Sequence, residues 1–270
     1  MAATRHDAGS VTGAFFLPCA DGRYEATEHT AGPWDPRLQH AGPPAALIGR
    51  ALERCEPRDE MVISRFTFEI LHAVPVGEVE VNARIVRPGR SVELLEATLS
   101  ASGREVVRAA AWRVLRAPEA TATPRSYEPL PLPDAEAPMP AQLASGYLKA
   151  VEWRPVRGGF LEYGPAAAWT RLRVAVVEGE EPTALQRVLA VADSGNGISG
   201  TLDMRRWWFI NPELTLHLER EPAGEWICLD AETSIQPGGA GLAASILSDR
   251  QGPVARGAQT LYVGERPPAA

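Results

Sequence analysis

The first helix predicted by the hydrophobic pattern spans residues 45–53. Apolar residues occupy most of its faces and only Arg50 interrupts them, so we expect this helix to be buried. Pro43 and Pro44 precede it, and proline favours the first turn of a helix. Pro57 lies just beyond its end. The pattern therefore predicts a short helix in the protein interior.

The second predicted helix spans residues 182–193 and carries one apolar stripe. Its apolar residues recur at i, i+3, i+4 and i+7, namely Leu185, Val188, Leu189 and Ala192. Asp193 lies four residues after Leu189 and so falls at the edge of this stripe, just before Gly195-Asn-Gly197. The residue is either an ordinary turn residue that ends the helix or a carboxylate placed for chemistry.

Alternation of apolar and polar residues predicts antiparallel strands after each helix. Between residues 62 and 115, Phe66, Phe68 and Ile70 alternate with polar residues, and turn signals such as Pro88-Gly89 separate such runs. Further strand-like runs lie at residues 13–18, 24–27, 148–156, 169–177 and 207–263.

The two runs of strands repeat one another. Turn motifs and an arginine recur in the same order with offsets of 147 to 149 residues: Pro75-Val-Gly-Glu78 with Pro222-Ala-Gly-Glu225, Pro88-Gly89 with Pro237-Gly238, Gly103 with Gly252, and Arg108 with Arg256. Upstream, Pro44 and Leu47 match Pro182 and Leu185. This order predicts a duplicated β-β-α-β-β-β unit, an α+β fold in which a curved antiparallel sheet wraps each helix.

A proline-rich segment separates the two units. Seven prolines crowd residues 117–140, which have little apolar periodicity, and such a composition favours an extended linker. We therefore predict an N-terminal unit at residues 1–116, a linker at 117–140 and a C-terminal unit at 141–270.

Polar residues distinguish the second unit from the first. Asp193 takes the place of Cys55, and Gln259 takes the place of Ala111 on the last strand. Gln259 shares strand parity with Leu261 and Val263, the side that we expect to face the helix. The pair is either an internal hydrogen bond that fixes the packing or part of a site in one half only.

Composition excludes several classes of function. The chain has 270 residues, a net charge of −7 and a pI near 5.4, whereas nucleic-acid binders usually show a basic face. It contains no Gly-x-Ser-x-Gly elbow, P-loop or paired metal-ligand histidines, and its three cysteines are widely spaced. No run approaches the ~20 apolar residues of a membrane span. We therefore expect a cytoplasmic protein without metal or cofactor. We expect no nucleic-acid or membrane partner, and the formation of a homo-oligomer is possible.

Two further positions are candidates for substrate binding. His40-Ala41-Gly42 precedes the first helix, where backbone N–H groups could bind a carbonyl oxygen or an oxyanion. Asn196 follows Asp193 at the end of the second helix. Neither signal is specific alone.

Taken together, these motifs resemble one family. The chain resembles the double-hotdog acyl-CoA thioesterases in the order of these motifs. They are Gln39-His-Ala-Gly42 before a buried helix, the Arg87-Pro-Gly89 turn, Asp193, Thr201-Leu-Asp203 leading into Trp208-Phe-Ile-Asn-Pro212, and Ala258-Gln259. The resemblance covers residues 13 to 263. The chain departs from the family after Asp203, where Met204-Arg-Arg206 carries one extra residue.

The resemblance implies two hotdog units in one chain and the hydrolysis of an acyl-CoA to the free acid and CoA. It assigns Asp193, Thr201 and Gln259 to a catalytic set that holds water against the thioester carbonyl. Two alternatives stay open. One is a non-catalytic acyl-CoA or lipid-binding protein. The other is an enoyl-CoA hydratase, which needs an Asp/His pair, although no histidine lies near Asp193 in sequence.

Overall fold

The computed structural model describes residues 13–118, 127–136, 139–140 and 146–266. The predicted linker at 117–140 therefore lies partly outside the described residues. The helices are α1 (Gly42–Arg54), α2 (Gly146–Ala150), α3 (Ala184–Ala192) and α4 (Gly195–Ile198). The strands are β1 (Ala14–Pro18), β2 (Arg23–Ala26), β3 (Met61–Ile70), β4 (Glu78–Arg87), β5 (Val92–Ala101), β6 (Arg104–Leu115), β7 (Val151–Arg157), β8 (Ala166–Leu172), β9 (Ala175–Val177), β10 (Trp207–Ile210), β11 (Glu213–Leu218), β12 (Ile227–Ile235), β13 (Gly241–Asp249) and β14 (Gly252–Glu265).

All strands belong to one sheet whose order is nearly the same from either end. The path is β7-β8-β12-β13-β14-β11-β3-β6-β5-β4-β2-β1-β9, and β10 pairs with β14 beside it. One end of this path begins with β7-β8-β12-β13-β14-β11. The path from the other end, after β9, runs β1-β2-β4-β5-β6-β3, which is the corresponding order in the N-terminal half. The two halves join through the antiparallel pair β3–β11, in which Phe66 lies opposite Leu216. They join again at β9, which pairs with β1 in parallel and so departs from the predicted antiparallel pattern.

The two longer helices pack against each other and against this sheet. Helix α1 contacts α3, β4 and β5, and α3 contacts β12 and β13. Their approach requires glycine at position 42, since a Cβ at Gly42 would overlap the Ala190 carbonyl oxygen. A Cβ at Gly49 would meet the end of the Leu189 side chain. The buried core includes Leu47, Phe66 and Leu189, so the sheet wraps the helix pair as the sequence predicts.

Four local predictions differ from the structure. Helix α1 begins at Gly42, because Pro43 and Pro44 fit inside a first turn whose N–H groups need no partner. Helix α3 begins at Ala184, and the Thr183 hydroxyl caps it by accepting the Gln186 N–H at 3.2 Å. Residues 148–150 belong to α2 rather than to a strand. The run 169–177 is divided between β8, which pairs with β12, and β9, which pairs with β1.

Helix α2 starts at Gly146, whose φ of +51° favours glycine. Its next residue, Tyr147, donates its N–H to Ala31 O at 2.9 Å. A single five-residue turn leaves no periodic signal in the sequence, which explains the wrong prediction there. Among the described residues, no helix is long and apolar enough to cross a membrane.

Candidate active site

A cavity of about 1020 Å³ opens beside the C-terminal end of α3. Its walls are mostly apolar and aromatic, and include Trp34, Leu148, Phe160, Trp208 and Phe209. A small polar group also borders it, formed by His40, Asp193, Ser194, Asn196 and Asn211. Pockets of this kind, apolar with a few convergent polar groups, are typical ligand sites.

Asp193 lies at the C-cap of α3 and is 5% exposed. Its Oδ1 accepts hydrogen bonds from Asn211 Nδ2 at 2.8 Å and from Gln259 Nε2 at 3.2 Å. Its Oδ2 lies 3.4 Å from Nδ1 of His40. One carboxylate oxygen is thus anchored by two amides, while the other faces His40 and the start of α1.

Gln259 lies behind Asp193 on β14 and is 2% exposed. Its Nε2 also donates to the Asp193 backbone oxygen at 3.1 Å, and its Oε1 accepts the Asn196 N–H at 3.2 Å. Gly195 is needed for this approach, because a Cβ there would lie 2.8 Å from Oε1. The structure therefore brings Asp193 and Gln259 together, and Gln259 orients the carboxylate.

Burial raises the pKa of Asp193 to about 7, although hydrogen bonds from Asn211, the Ala41 N–H and Gln259 lower it in part. A carboxyl group with a pKa near neutrality exchanges protons readily at neutral pH. Its position at the cavity wall makes it the strongest candidate in this region for acid–base chemistry.

His40 lies beside Asp193, although 153 residues separate the two in the sequence. Its ring stacks on Tyr147 with centroids 3.8 Å apart and an interplanar angle of 9°. Tyr147 is fixed in turn by its hydroxyl, which donates to Ala190 O at 2.9 Å and lies 2.8 Å from Ser194 Oγ. No histidine lies near Asp193 along the chain, but the fold brings His40 to it.

Thr201 lies apart from this group. Its hydroxyl oxygen is buried and has no hydrogen-bond partner among the described residues. Its neighbours Gly200 and Leu202 border the cavity. Thr201 is thus near the cavity wall but makes no hydrogen bond to Asp193 or Gln259.

Of the three predicted substrate ligands, His40 and Asn196 border the cavity. Asn196 donates from Nδ2 to Phe209 O at 3.2 Å. The Gly42 N–H donates to His40 Nδ1 at 3.0 Å, so the backbone donor that the sequence favours already has a partner. The roles of these three residues in binding stay predictions.

Sequence reasoning missed Asn211, Tyr147 and Ser194. Asn211 had one usable signal, since it is a polar residue that ends an apolar run before Pro212. Tyr147 and Ser194 had none, because a tyrosine after a glycine and a serine after a helix are common in any fold. Ser194 lies at the site because it directly follows Asp193 in the chain, whereas Tyr147 reaches it through the contact of α2 with the end of α3.

Family models match both halves of the chain. The model described as the acyl-CoA thioesterase N-terminal domain matches residues 30–114, and the one described as the acyl-CoA thioesterase C-terminal domain matches residues 124–263. A comparison with curated proteins found no match.

Several solved structures resemble this one. A protein from Thermobifida fusca named a thioesterase II shares 19% identity and a TM-score of 0.67, covering 92% of this chain and 95% of that one. A hot dog fold protein from Alicyclobacillus acidocaldarius shares 16% identity and a TM-score of 0.70, covering 98% and 100%. The acyl-CoA thioesterase II TesB2 of Mycobacterium marinum shares 12% identity and a TM-score of 0.61, covering 94% and 96%. At these identities the similarity establishes the α+β hotdog fold.

Proposed function

The chain belongs to the double-hotdog acyl-CoA thioesterase family and is a thioester hydrolase, and from this we propose that Asp193 is the general base that activates water for attack on the thioester. The observation that carries the proposal is the position of the Asp193 carboxylate, which borders the 1020 Å³ cavity and is held by two amide donors. The substrate is an acyl-CoA and the products are the free acid and CoA.

We infer that the two halves arose by duplication. Supporting observations are the mirrored strand order and the equivalent helix ends, since Cys55 and Asp193 are the C-cap residues of α1 and α3. The proposed units are residues 1–116 and 141–270, joined by 117–140. Only the second helix end carries the acid, so the duplicated fold has one proposed site.

The chemistry follows from the environment of Asp193. A base works best when its pKa lies near the working pH, and burial raises the pKa of this carboxyl to about 7. Asn211 and Gln259 fix Oδ1 and leave Oδ2 to accept a proton from water. Gln259 acts here as a positioning residue, since both ends of its amide bond to groups of the protein.

Thr201 is the second proposed water ligand. The support is its buried hydroxyl, which has no partner among the described residues and lies next to residues of the cavity wall. A hydroxyl can both donate and accept a hydrogen bond. Asn196, which borders the cavity, is proposed to contact the thioester end of the substrate. The Gly42 N–H already donates to His40 Nδ1, so Gly42 is proposed to support His40 instead of binding the substrate directly.

The test measures thiol release from acyl-CoA substrates of different chain length. We expect Asp193→Asn to lower kcat by roughly 100- to 10,000-fold, the usual contribution of a general base. Gln259→Ala should lower kcat less, and Thr201→Val should raise KM or lower kcat if the hydroxyl holds water. The exposed Asp21→Asn serves as the control, with unchanged kinetics expected. Equal rates for wild type and Asp193→Asn on every substrate would refute the assignment.

A hydratase is the second candidate, and the 3.4 Å separation of Asp193 and His40 favours it. Such an enzyme would add water across an enoyl-CoA and release no thiol. An assay that follows loss of the enoyl absorbance together with thiol release separates the two activities. Hydration without thiol release would favour the hydratase over the thioesterase.

A further inference from the structure

The hydrogen bonds around His40 fix its tautomer. The Gly42 N–H, at the start of α1, donates to Nδ1 at 3.0 Å. A ring nitrogen that accepts a hydrogen bond carries no proton, so in the neutral ring the proton lies on Nε2. His40 therefore has one polar hydrogen, and its position is set by the helix start.

The orientation of the ring is fixed as well. Tyr147 stacks on it almost in parallel, and the Tyr147 hydroxyl is held by Ala190 O and Ser194 Oγ. Trp153 contacts the Tyr147 ring edge-on with centroids 6.4 Å apart. A side chain held on one face and at one nitrogen is preorganised, which favours a role at the reacting centre.

His40 is neutral beside a carboxyl group. Burial lowers the pKa of His40 to about 3, so it does not form an ion pair with Asp193 at neutral pH despite their 3.4 Å separation. A helix start that donates to one nitrogen keeps an imidazole neutral and suits its other N–H to polarise a carbonyl group. Asp193 stays free to act as a base.

Most other donors at the cavity end are already used. The Gly42 N–H bonds to His40, and the amides of Asn211 and Gln259 bond to Asp193. Among the described residues, Nε2 of His40 has no hydrogen-bond partner, and the ring borders the cavity. This N–H is thus an available donor on a ring that borders the same cavity as Asp193.

Building on the thioesterase function proposed above, we propose that the Nε2–H of His40 binds the thioester carbonyl oxygen and stabilises the oxyanion that forms there. Water oxygen bonds to the carbonyl carbon while Asp193 takes one proton, and the carbonyl π electrons move to the oxygen. The oxyanion then collapses, the C–S bond breaks with its electrons on sulfur, and the proton from Asp193 passes to the thiolate.

The test compares His40→Phe, which can keep the stack on Tyr147 but has no donor, with His40→Gln, whose amide can donate. We expect His40→Phe to lower kcat by roughly 100- to 1,000-fold, the cost of one oxyanion donor, with KM nearly unchanged. His40→Gln should recover part of the rate. Both should keep the pH profile set by Asp193, whereas a proton-transfer role for His40 would change the profile. The exposed His217→Phe is the matched control, and its kcat should not change.

A second measurement does not depend on turnover. A CoA ketone, with methylene in place of the thioester sulfur, carries a ¹³C label at its carbonyl carbon. Binding to wild type should move this resonance downfield as the oxygen is polarised, and binding to His40→Phe should not. An equal shift in both proteins, or an unchanged kcat in His40→Phe, would overturn the proposal. Absence of wild-type hydrolysis of any acyl-CoA would instead refute the thioesterase function itself.

Discussion

At the scale of single residues, the site depends on the carboxyl group of Asp193, which is buried where its charged form is disfavoured. Burial raises the pKa of Asp193 to about 7, while Asn211, the Ala41 N–H and Gln259 lower it only in part. In the unfolded chain the same group titrates near its ordinary pKa of ~3.9. Its ionisation therefore opposes folding, and the same raised pKa that suits the proposed general base lowers stability at neutral pH.

Asp193→Asn should stabilise the protein in a pH-dependent way. The pKa of Asp193 is raised in the folded state, so the protonated group stabilises wild type below about pH 4. This stabilisation is lost as the pH rises through about 7. The asparagine variant does not titrate and should be more stable than wild type by roughly 2 to 4 kcal/mol near pH 8, since one pKa unit is about 1.4 kcal/mol. Urea denaturation of both proteins at acid and alkaline pH measures the difference.

Asp249→Asn is the control of opposite sign. Burial would raise the pKa of Asp249, but Arg220 and the N–H groups of Ala223 and Gln251 outweigh it and hold the pKa below its usual range. The wild-type carboxylate thus stabilises the fold at neutral pH, and its removal should destabilise the protein there. An Asp193→Asn variant with the same stability difference at both pH values would contradict the buried, raised pKa.

The sequence predicts some of these residues and not others, for a physical reason. Asp193 and Gln259 differ from Cys55 and Ala111 at equivalent positions of a repeat, so the comparison of the halves isolates them. The sequence also identified His40 as part of a helix start, but it did not predict the contact of His40 with Asp193. That contact depends on how closely α1 approaches α3, which periodicity does not encode.

At the scale of the elements, the contact between the start of α1 and the end of α3 creates the site. Gly42 allows it, since a Cβ there would overlap the Ala190 carbonyl oxygen and lie 3.1 Å from His40 Nδ1. The same contact places the α1 N-terminus beside Asp193. Helix α2 adds Tyr147, whose ring stacks on His40.

Gly42→Ala should therefore damage both stability and catalysis. The added methyl group must push α1 away from α3, and such overpacking typically costs roughly 1 to 3 kcal/mol. His40 should lose its orientation, so kcat should fall while the far end of the cavity still binds the acyl chain. Chemical denaturation and thiol-release kinetics measure the two effects.

Gly239→Ala is the matched control, because a Cβ there meets only ordinary contacts at 3.4 Å or more. Its unfolding free energy should stay within about 0.5 kcal/mol of wild type, as for most surface substitutions. If Gly42→Ala were equally harmless, the close approach of the two helices would not be what positions the site.

At the scale of the whole molecule, the two halves have the same strand order but different helix ends. The periodic pattern and the turn motifs predicted the helix-and-sheet layout, because an apolar helix and a sheet with one apolar face must bury these surfaces against each other. They could not predict which side chains fill the space at the C-terminal end of α1. At Cys55, the C-cap of α1, Arg113 Nη1 donates to the backbone oxygen at 3.1 Å.

This end of α1 is closed by a buried ion-pair cluster. Arg113 Nε lies 2.9 Å from Glu93 Oε2, and Arg58 Nη1 lies 2.7 Å from Glu93 Oε1. Arg113 and Glu93 are each 4% exposed. A small cavity of about 170 Å³ lies nearby, compared with about 1020 Å³ at Asp193. The end of α3 thus opens on the large cavity, whereas the end of α1 is filled with paired charges.

The chain should consequently bind one acyl-CoA and not two. Isothermal titration of Asp193→Asn, which should bind substrate without turning it over, is expected to give one molecule per 29.1 kDa chain. Cys55→Asp should leave this ratio at one, because Arg113 and Glu93 still fill the space that a second substrate would need. Two equivalent sites per chain, in either variant, would mean that the closed helix end opens in solution and that the halves are functionally alike.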